Sequence, residues 1–114
     1  MLSRPAAISL DVHIDGDRAV VRLRALQFGS VDGEHADARL LSLVGELEYP
    51  VLALDFENVN FMSSLGLTLL LTLHKRLAAN GRRLALLNLQ PHLYEIFSVT
   101  RLNTLLDVQL REAA

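Results

Sequence analysis

The sequence predicts an α/β domain in which one mixed β-sheet carries helices mainly on one face. Two alternating segments at the start of the chain are typical of an antiparallel hairpin, and two almost wholly apolar segments further on are typical of central strands. Segments with helical apolar spacing separate the later strands. Strands that alternate with helices pair in parallel through right-handed crossovers, so the sheet is expected to be mixed.

The first predicted element is a β-hairpin. Apolar and polar residues alternate over residues 8–14 and again over residues 19–26, as expected for strands with one buried face. Between them lies an Asp-Gly pair, Asp15 and Gly16, which supplies the positive φ that a tight turn needs. We therefore expect two antiparallel strands joined by this turn.

The next segment changes its period from that of a strand to that of a helix. From Glu34 onward the apolar residues fall on one helical stripe. They are Ala36, Leu40, Leu43, Val44 and Leu47. Ser30 or Asp32 would cap the start of this helix, and Pro50 marks the next boundary. The sequence thus predicts a helix that begins near Glu34.

A strand, a helix and a second strand follow. Residues 51–56 are almost continuously apolar, which predicts a central strand covered on both faces. A helix is predicted from about Ser64 to Ala79, because Asn80-Gly81 is a good C-terminal cap signal. Residues 83–88 predict another buried strand.

The last part of the chain predicts a short helix and an edge strand. Pro91 suits the first position of a helix, and Val108 and Leu110 indicate a short strand near the end. The predicted order is ββαβαβα plus a tail. We expect a single domain over residues 1–114, with its core at about residues 8–110.

The composition excludes several classes of function. The chain has no cysteine, so disulfides, thiol catalysis and cysteine–zinc sites are ruled out. The net charge is −2 and the 11 basic residues are scattered, which argues against nucleic acid and anionic membranes as partners. No apolar stretch approaches the ~20 residues of a membrane helix, so we expect no direct membrane insertion and a cytoplasmic location.

The motifs of catalysis are incomplete. Ser64 has Met62 and Gly66 at the flanking positions, so half of a Gly-x-Ser-x-Gly nucleophile elbow is missing. The four histidines lack metal-ligand spacing, and there is no glycine-rich phosphate loop. Asp55 could be catalytic at the end of its strand, but such a residue more often binds the backbone of the next loop. We predict no catalytic residue, metal or cofactor, and structural roles for Asp55 and Gly66.

Two adjacent serines, Ser63 and Ser64, separate two apolar segments. Either could cap the helix that follows, since serine is among the best N-caps. The start of a helix also has free N–H groups and a partial positive charge, so it tolerates a phosphate group. Phosphorylation would add about −1.5 to −2 charges at one point of the surface. Capping and modification both remain open at this stage.

A helical wheel over residues 64–79 places one mostly polar face outward, made of Ser64, Thr68, Thr72, Lys75, Arg76 and Ala79. Leu65 falls within that face, and Leu69 flanks it. A cap does not explain leucines grouped around an exposed helix end, whereas a binding patch does. We therefore predict a partner-binding surface made of Ser63, Ser64, Leu65, Thr68, Leu69 and Thr72.

The region from residue 55 onward contains a strand–loop–Ser–Gly–Leu–helix block. The relevant positions are Asp55, Val59, Phe61, Met62, Ser64, Gly66, Leu67, Gly81 and the LALLN strand at 84–88. This block is similar to the pattern Asp-Leu-Ser-x-Val-x-Phe-hydrophobic-Asp-Ser-Ser-Gly-Leu of the STAS domain family of bacterial anti-sigma factor antagonists. The resemblance covers about residues 10–108 and implies a STAS-like fold.

The resemblance implies regulation by binding rather than catalysis. Such domains bind a partner, often a serine-protein kinase that is also an anti-sigma factor. The kinase phosphorylates the serine at the start of the second helix, the complex dissociates, and a serine phosphatase reverses the reaction. By position this phosphorylation candidate is Ser64, with Ser63 as the second choice.

Departures from the family pattern favour an alternative function. Ser63 stands where the family has Asp, Leu65 stands where the family has a small residue, and residues 24–33 lack the usual Gly-x-Leu/Ile-Asp segment. The missing Asp and the presence of Leu65 favour a constitutive subunit without a phosphorylation switch. Such a subunit would belong to a stressosome-like scaffold or to an ABC, lipid or anion transporter. A homodimer or a larger assembly is compatible with both the phosphorylation-switched antagonist and the constitutive subunit.

Overall fold

A computed structural model describes residues 10–23, 27–28 and 48–110 of the chain. The strands are β1 (Leu10–Asp15), β2 (Arg18–Leu23), β3 (Gln27–Phe28), β4 (Val51–Asp55), β5 (Phe61–Met62), β6 (Arg83–Leu89) and β7 (Asp107–Leu110). The helices are α1 (Ser64–Ala79), α2 (Pro91–Val99) and a 3-10 turn at Leu102–Thr104. The helix that the sequence predicts from Glu34 lies outside the described residues.

Within the described residues, the main sheet has five strands in the order β1-β2-β4-β6-β7. β1 and β2 form the predicted antiparallel hairpin, with Gly16 at φ 65° in its turn. The other neighbours pair in parallel, so that Val20 lies beside Ala53 and Ala53 beside Ala85. A separate two-stranded parallel pair, β3 with β5, adjoins the start of α1. The α/β class and the mixed sheet are thus confirmed.

The outer strand of the hairpin is more exposed than its alternation predicts. Val12 and Ile14 are 39% and 47% exposed, although they lie opposite the buried Val21 and Ala19 of β2. The predicted half-buried face is therefore wrong for these two side chains. The physical reason is position, because β1 is the edge strand among the strands that the structure describes.

The main core lies between one face of the sheet and the two described helices. α1 contributes Leu69, Leu70, Leu73 and Leu77, and α2 contributes Leu93 and Phe97. Burying one leucine side chain stabilises the fold by roughly 1.5–3 kcal/mol, so this cluster holds the helices on the sheet. The opposite face has a smaller cluster of Val20, Val51, Ala53 and Ala85.

Local signals set both ends of α1 where the sequence predicts them. At its C-terminal end Gly81 has φ 73°, its N–H donates to Ala78 O at 3.0 Å, and the N–H of Arg82 donates to Leu77 O at 2.8 Å. This is the Schellman arrangement that ends many helices.

None of the helices in the described ranges is long and apolar enough to cross a membrane.

Candidate functional site

The two adjacent serines have different structural roles at the start of α1. Ser63 is the N-cap: its backbone is extended, at φ −91° and ψ 174°, and its Oγ accepts a hydrogen bond from the N–H of Gly66 at 3.3 Å. Ser64 is the first residue of the helix and is exposed. Ser63 therefore takes the capping role that the sequence left open, and Ser64 does not.

Ser64 lies in an environment suited to a negative charge. The first turn of α1 contains no acidic residue, so the positive end of the helix dipole is not already compensated by a side chain of that turn. The backbone carbonyl of Ser64 accepts a hydrogen bond from Thr68 Oγ1 at 3.0 Å, which occupies the carbonyl and not the Ser64 hydroxyl. A group added to the hydroxyl would project into solvent.

Two large apolar side chains flank Ser64 in the sequence and face solvent. Phe61 is 65% exposed and Leu65 is 53% exposed. Thr68, one helical turn further on, is also exposed. We call Phe61, Ser64, Leu65 and Thr68 the docking patch, as the candidate surface for a partner. Sequence reasoning missed Phe61 because a helical wheel begins with the helix, and this residue lies in the short β5 before it.

The remaining predicted surface residues are less accessible. Ser63 and Thr72 are half-buried. The prediction that Leu69 belongs to the partner-binding surface is wrong, because this side chain is only 6% exposed and belongs to the main core. At about 100° per residue, Leu69 lies at one edge of the arc formed by the buried positions of α1, so the packed stripe still includes it. Leu69 is therefore not part of the docking patch.

Asp55 and Gly66 shape the loop that leads into the patch. The buried Asp55 accepts two hydrogen bonds at Oδ1, from the N–H of Glu57 and from Asn88 Nδ2, each at 3.0 Å. Its Oδ2 lies 3.6 Å from Nε of Arg22. The predicted bond to the backbone of the next loop is therefore present. Gly66 is buried in the first turn of α1, where its N–H reaches the Ser63 cap.

The described histidines do not converge on a reactive centre. His13 and His92 are exposed, and His74 is half-buried rather than in the core. In the part of the chain that the structure describes, no group of three His, Asp or Glu residues could hold a metal ion. A cavity of about 380 Å³ lies against the second half of α1, bordered by His74, Arg83 and Asp107 among others, and it does not include the docking patch.

Comparison with known proteins agrees with this architecture. The profile of the STAS domain matches residues 11–114. An anti-sigma factor antagonist from Mycobacterium paratuberculosis superposes with a TM-score of 0.75 at 20% identity, over 95% of this chain and 90% of that one. A STAS domain protein from Planctomyces limnophilus also gives 0.75, at 19% identity over 90% and 91% of the two chains.

A third structure with the same fold is a phosphoprotein. It is the Bacillus cell fate determinant SpoIIAA in its phosphorylated form, with a TM-score of 0.66 at 21% identity over 92% of each chain. Comparison with curated protein sequences gives no match. From the family profile over residues 11–114 and the shared fold, the chain belongs to the STAS domain family, whose anti-sigma factor antagonists are binding proteins and not enzymes.

Proposed function

We propose that this chain is an anti-sigma factor antagonist whose partner is an anti-sigma factor with serine kinase activity. The docking patch binds this partner, and phosphorylation of Ser64 releases it. The observation that carries the proposal is the position of Ser64, which is exposed at the first residue of α1 between the exposed side chains of Phe61 and Leu65. Such a protein acts in the cytoplasm, where a serine phosphatase reverses the modification.

The apolar part of the patch supplies the attraction for a partner. Phe61 and Leu65 lie at the same end of α1 and are more than half exposed. Aromatic side chains that become buried at the centre of an interface commonly act as binding hot spots. Ser64 and Thr68 add hydroxyl groups that can hydrogen-bond to a partner, which is the usual mixture of an apolar centre with polar neighbours.

A phosphate on Ser64 would remove this attraction without unfolding the domain. The added charge of about −1.5 to −2 would have to be desolvated in the apolar interface, and this desolvation cost opposes binding. The N-terminus of α1 tolerates that charge because its N–H groups and its dipole stabilise anions. The switch thus acts on the complex, while the free protein keeps its fold.

The geometry favours Ser64 over Ser63 as the phosphoacceptor. The Ser63 hydroxyl is half-buried and accepts a hydrogen bond from Gly66 N–H, so a phosphate there would disturb the cap. Serine and aspartate are about equally good N-caps, so Ser63 keeps the capping role of the aspartate found in the family pattern. What the replacement removes is a negative charge next to the phosphoacceptor, and not the helix start.

The proposal is tested by the affinity of variants for a purified anti-sigma factor kinase. Ser64→Ala should bind like the unmodified chain, and Ser64→Asp should bind at least about tenfold more weakly, since a buried unpaired charge costs more than 1.4 kcal/mol. Ser98→Asp is the matched control, because Ser98 is exposed near the end of α2 and lies outside the patch. Equal affinities of the Ser64 variants would contradict the proposal.

A second candidate function is a constitutive subunit of a stressosome-like scaffold or of a lipid or anion transporter. It is favoured by the exposure of Leu65 next to Ser64 and by Ser63 in place of the aspartate of the family pattern. A permanent interface benefits from the extra apolar side chain and needs no phosphoacceptor. Under this alternative, native pull-downs recover a stable complex whose amount does not change when ATP and the kinase are added.

A further inference from the structure

The loop that leads into the docking patch, residues 56–60, is held by a segment distant in sequence. Asn60, its last residue, directly precedes Phe61. Its side-chain Oδ1 accepts a hydrogen bond from Gln90 Nε2 at 2.6 Å, and its backbone carbonyl lies 2.6 Å from His92 Nε2. Gln90 and His92 flank Pro91 at the start of α2. Both acceptors of Asn60 are therefore used by one short segment.

The other end of the loop is tied to the last residues of β6, which come just before Gln90. Asn88 Nδ2 donates to Asp55 Oδ1 at 3.0 Å, and the N–H of Phe56 donates to the carbonyl of Leu87 at 2.9 Å. Residues 87–92 thus contact the loop at its beginning and at its end. The middle of the loop is anchored separately, because Val59 is fully buried in the main core.

The backbone of β6 departs from a regular strand where these bonds form. Asn88 has φ 58°, in the left-handed region, and the pairing of β6 with β7 shifts register between Leu86 and Leu89. Asparagine is among the residues that tolerate this conformation best. Such conformations persist where the surroundings hold them, and here the surroundings include the bond from Asn88 to Asp55.

Core packing does not account for Gln90 and His92. Gln90 is half-buried, His92 is exposed, and neither belongs to a hydrophobic cluster. Their contacts converge instead on Asn60. The ring of Phe61 is 65% exposed and lacks deep packing, so its position depends on its backbone, which is held by the pairing of β5 with β3 and by the bonds to Asn60. The bonds to Asn60 consequently help to place Phe61.

We infer that Gln90 and His92 are positioning residues that hold Asn60 and thereby present the docking patch in a preformed arrangement. The inference rests on the proposed function for the importance of the patch, whereas the positioning is a property of the free chain. A preformed patch needs less ordering when a partner binds, which strengthens binding without a new contact. Gln90 and His92 thus extend the working site from the start of α1 to the start of α2.

Hydrogen exchange of the free, full-length chain tests this inference. In a Gln90→Leu, His92→Ala double variant, the amides of residues 57–63 should exchange at least about fivefold faster, because loss of one net hydrogen bond carries that factor and the double variant loses two. Amides of β4 and β6 should keep their rates. His92→Gln retains an N–H donor near the position of Nε2, so this variant should exchange like the unmodified chain.

Glu95→Ala is the matched control, since Glu95 is an exposed residue of α2 outside this hydrogen-bond network. Unchanged exchange in residues 57–63 of the double variant would overturn the inference, and so would an equal increase throughout β4 and β6. If the double variant does not fold, the single His92→Ala change at an exposed site decides the question in the same way. The test needs no partner, so its failure is distinct from a failure of the Ser64 binding experiment.

Discussion

Removing the ring of Phe61 is expected to weaken partner binding strongly while leaving the fold intact. Phe61 is 65% exposed in the free chain. A phenylalanine offers roughly 200 Å² of surface, so about 130 Å² is available for burial against a partner. At about 25 cal/mol per Å² this area corresponds to at most about 3 kcal/mol. Ordering of the interface consumes part of that gain, so we expect Phe61→Ala to lower the affinity about 10- to 100-fold.

The assay is titration calorimetry of Phe61→Ala against a purified anti-sigma factor kinase, accompanied by urea denaturation of the free variant. Val99→Ala is the matched control, because Val99 is 73% exposed at the end of α2 and lies outside the docking patch. The control should bind like the unmodified chain, and neither change should shift the urea midpoint appreciably. If Phe61→Ala and Val99→Ala bind the kinase equally well, the result contradicts the assignment of the docking patch as the partner-binding surface.

Three further substitutions test the framework of the site by urea denaturation. Asp55→Ala should cost about 2–4 kcal/mol, because it leaves the N–H of Glu57 and the amide of Asn88 without their buried acceptor; a loss below about 1 kcal/mol would argue against this role. Ser63→Ala should cost about 1 kcal/mol and Ser63→Asp should not, since only the first removes the cap; equal losses would show that the cap does not stabilise α1. Gly81→Ala should cost about 1 kcal/mol through its φ of 73°, and a stabilised variant would refute that reasoning.

Elements governed by local chemistry were predictable from the sequence. Both ends of α1 follow from the Ser63 cap and from Gly81, and α2 begins at Pro91 as expected. These signals act over three or four residues, so a linear reading captures them. The continuous apolar run of β4 likewise indicated a strand buried on both faces.

Features that depend on distant parts of the chain were not predictable. The exposure of Val12 on β1 follows from the order of the strands, which alternation within one strand does not reveal. Leu69 lies near the boundary of the buried stripe of α1, where a helical wheel discriminates poorly. The bonds from Gln90 and His92 to Asn60 join residues about thirty positions apart. Neither segment contains a sequence motif that predicts this contact.

Mapping the phosphorylation site after incubation with an anti-sigma factor kinase and ATP tests the central claim most directly. Tandem mass spectrometry of the unmodified chain and of Ser64→Ala separates the two adjacent serines. We predict a single phosphate on Ser64 and none on the Ser64→Ala chain. No phosphate on either chain, or a phosphate on Ser63 with Ser64 unmodified, would contradict the switch at the start of α1 and favour the constitutive subunit.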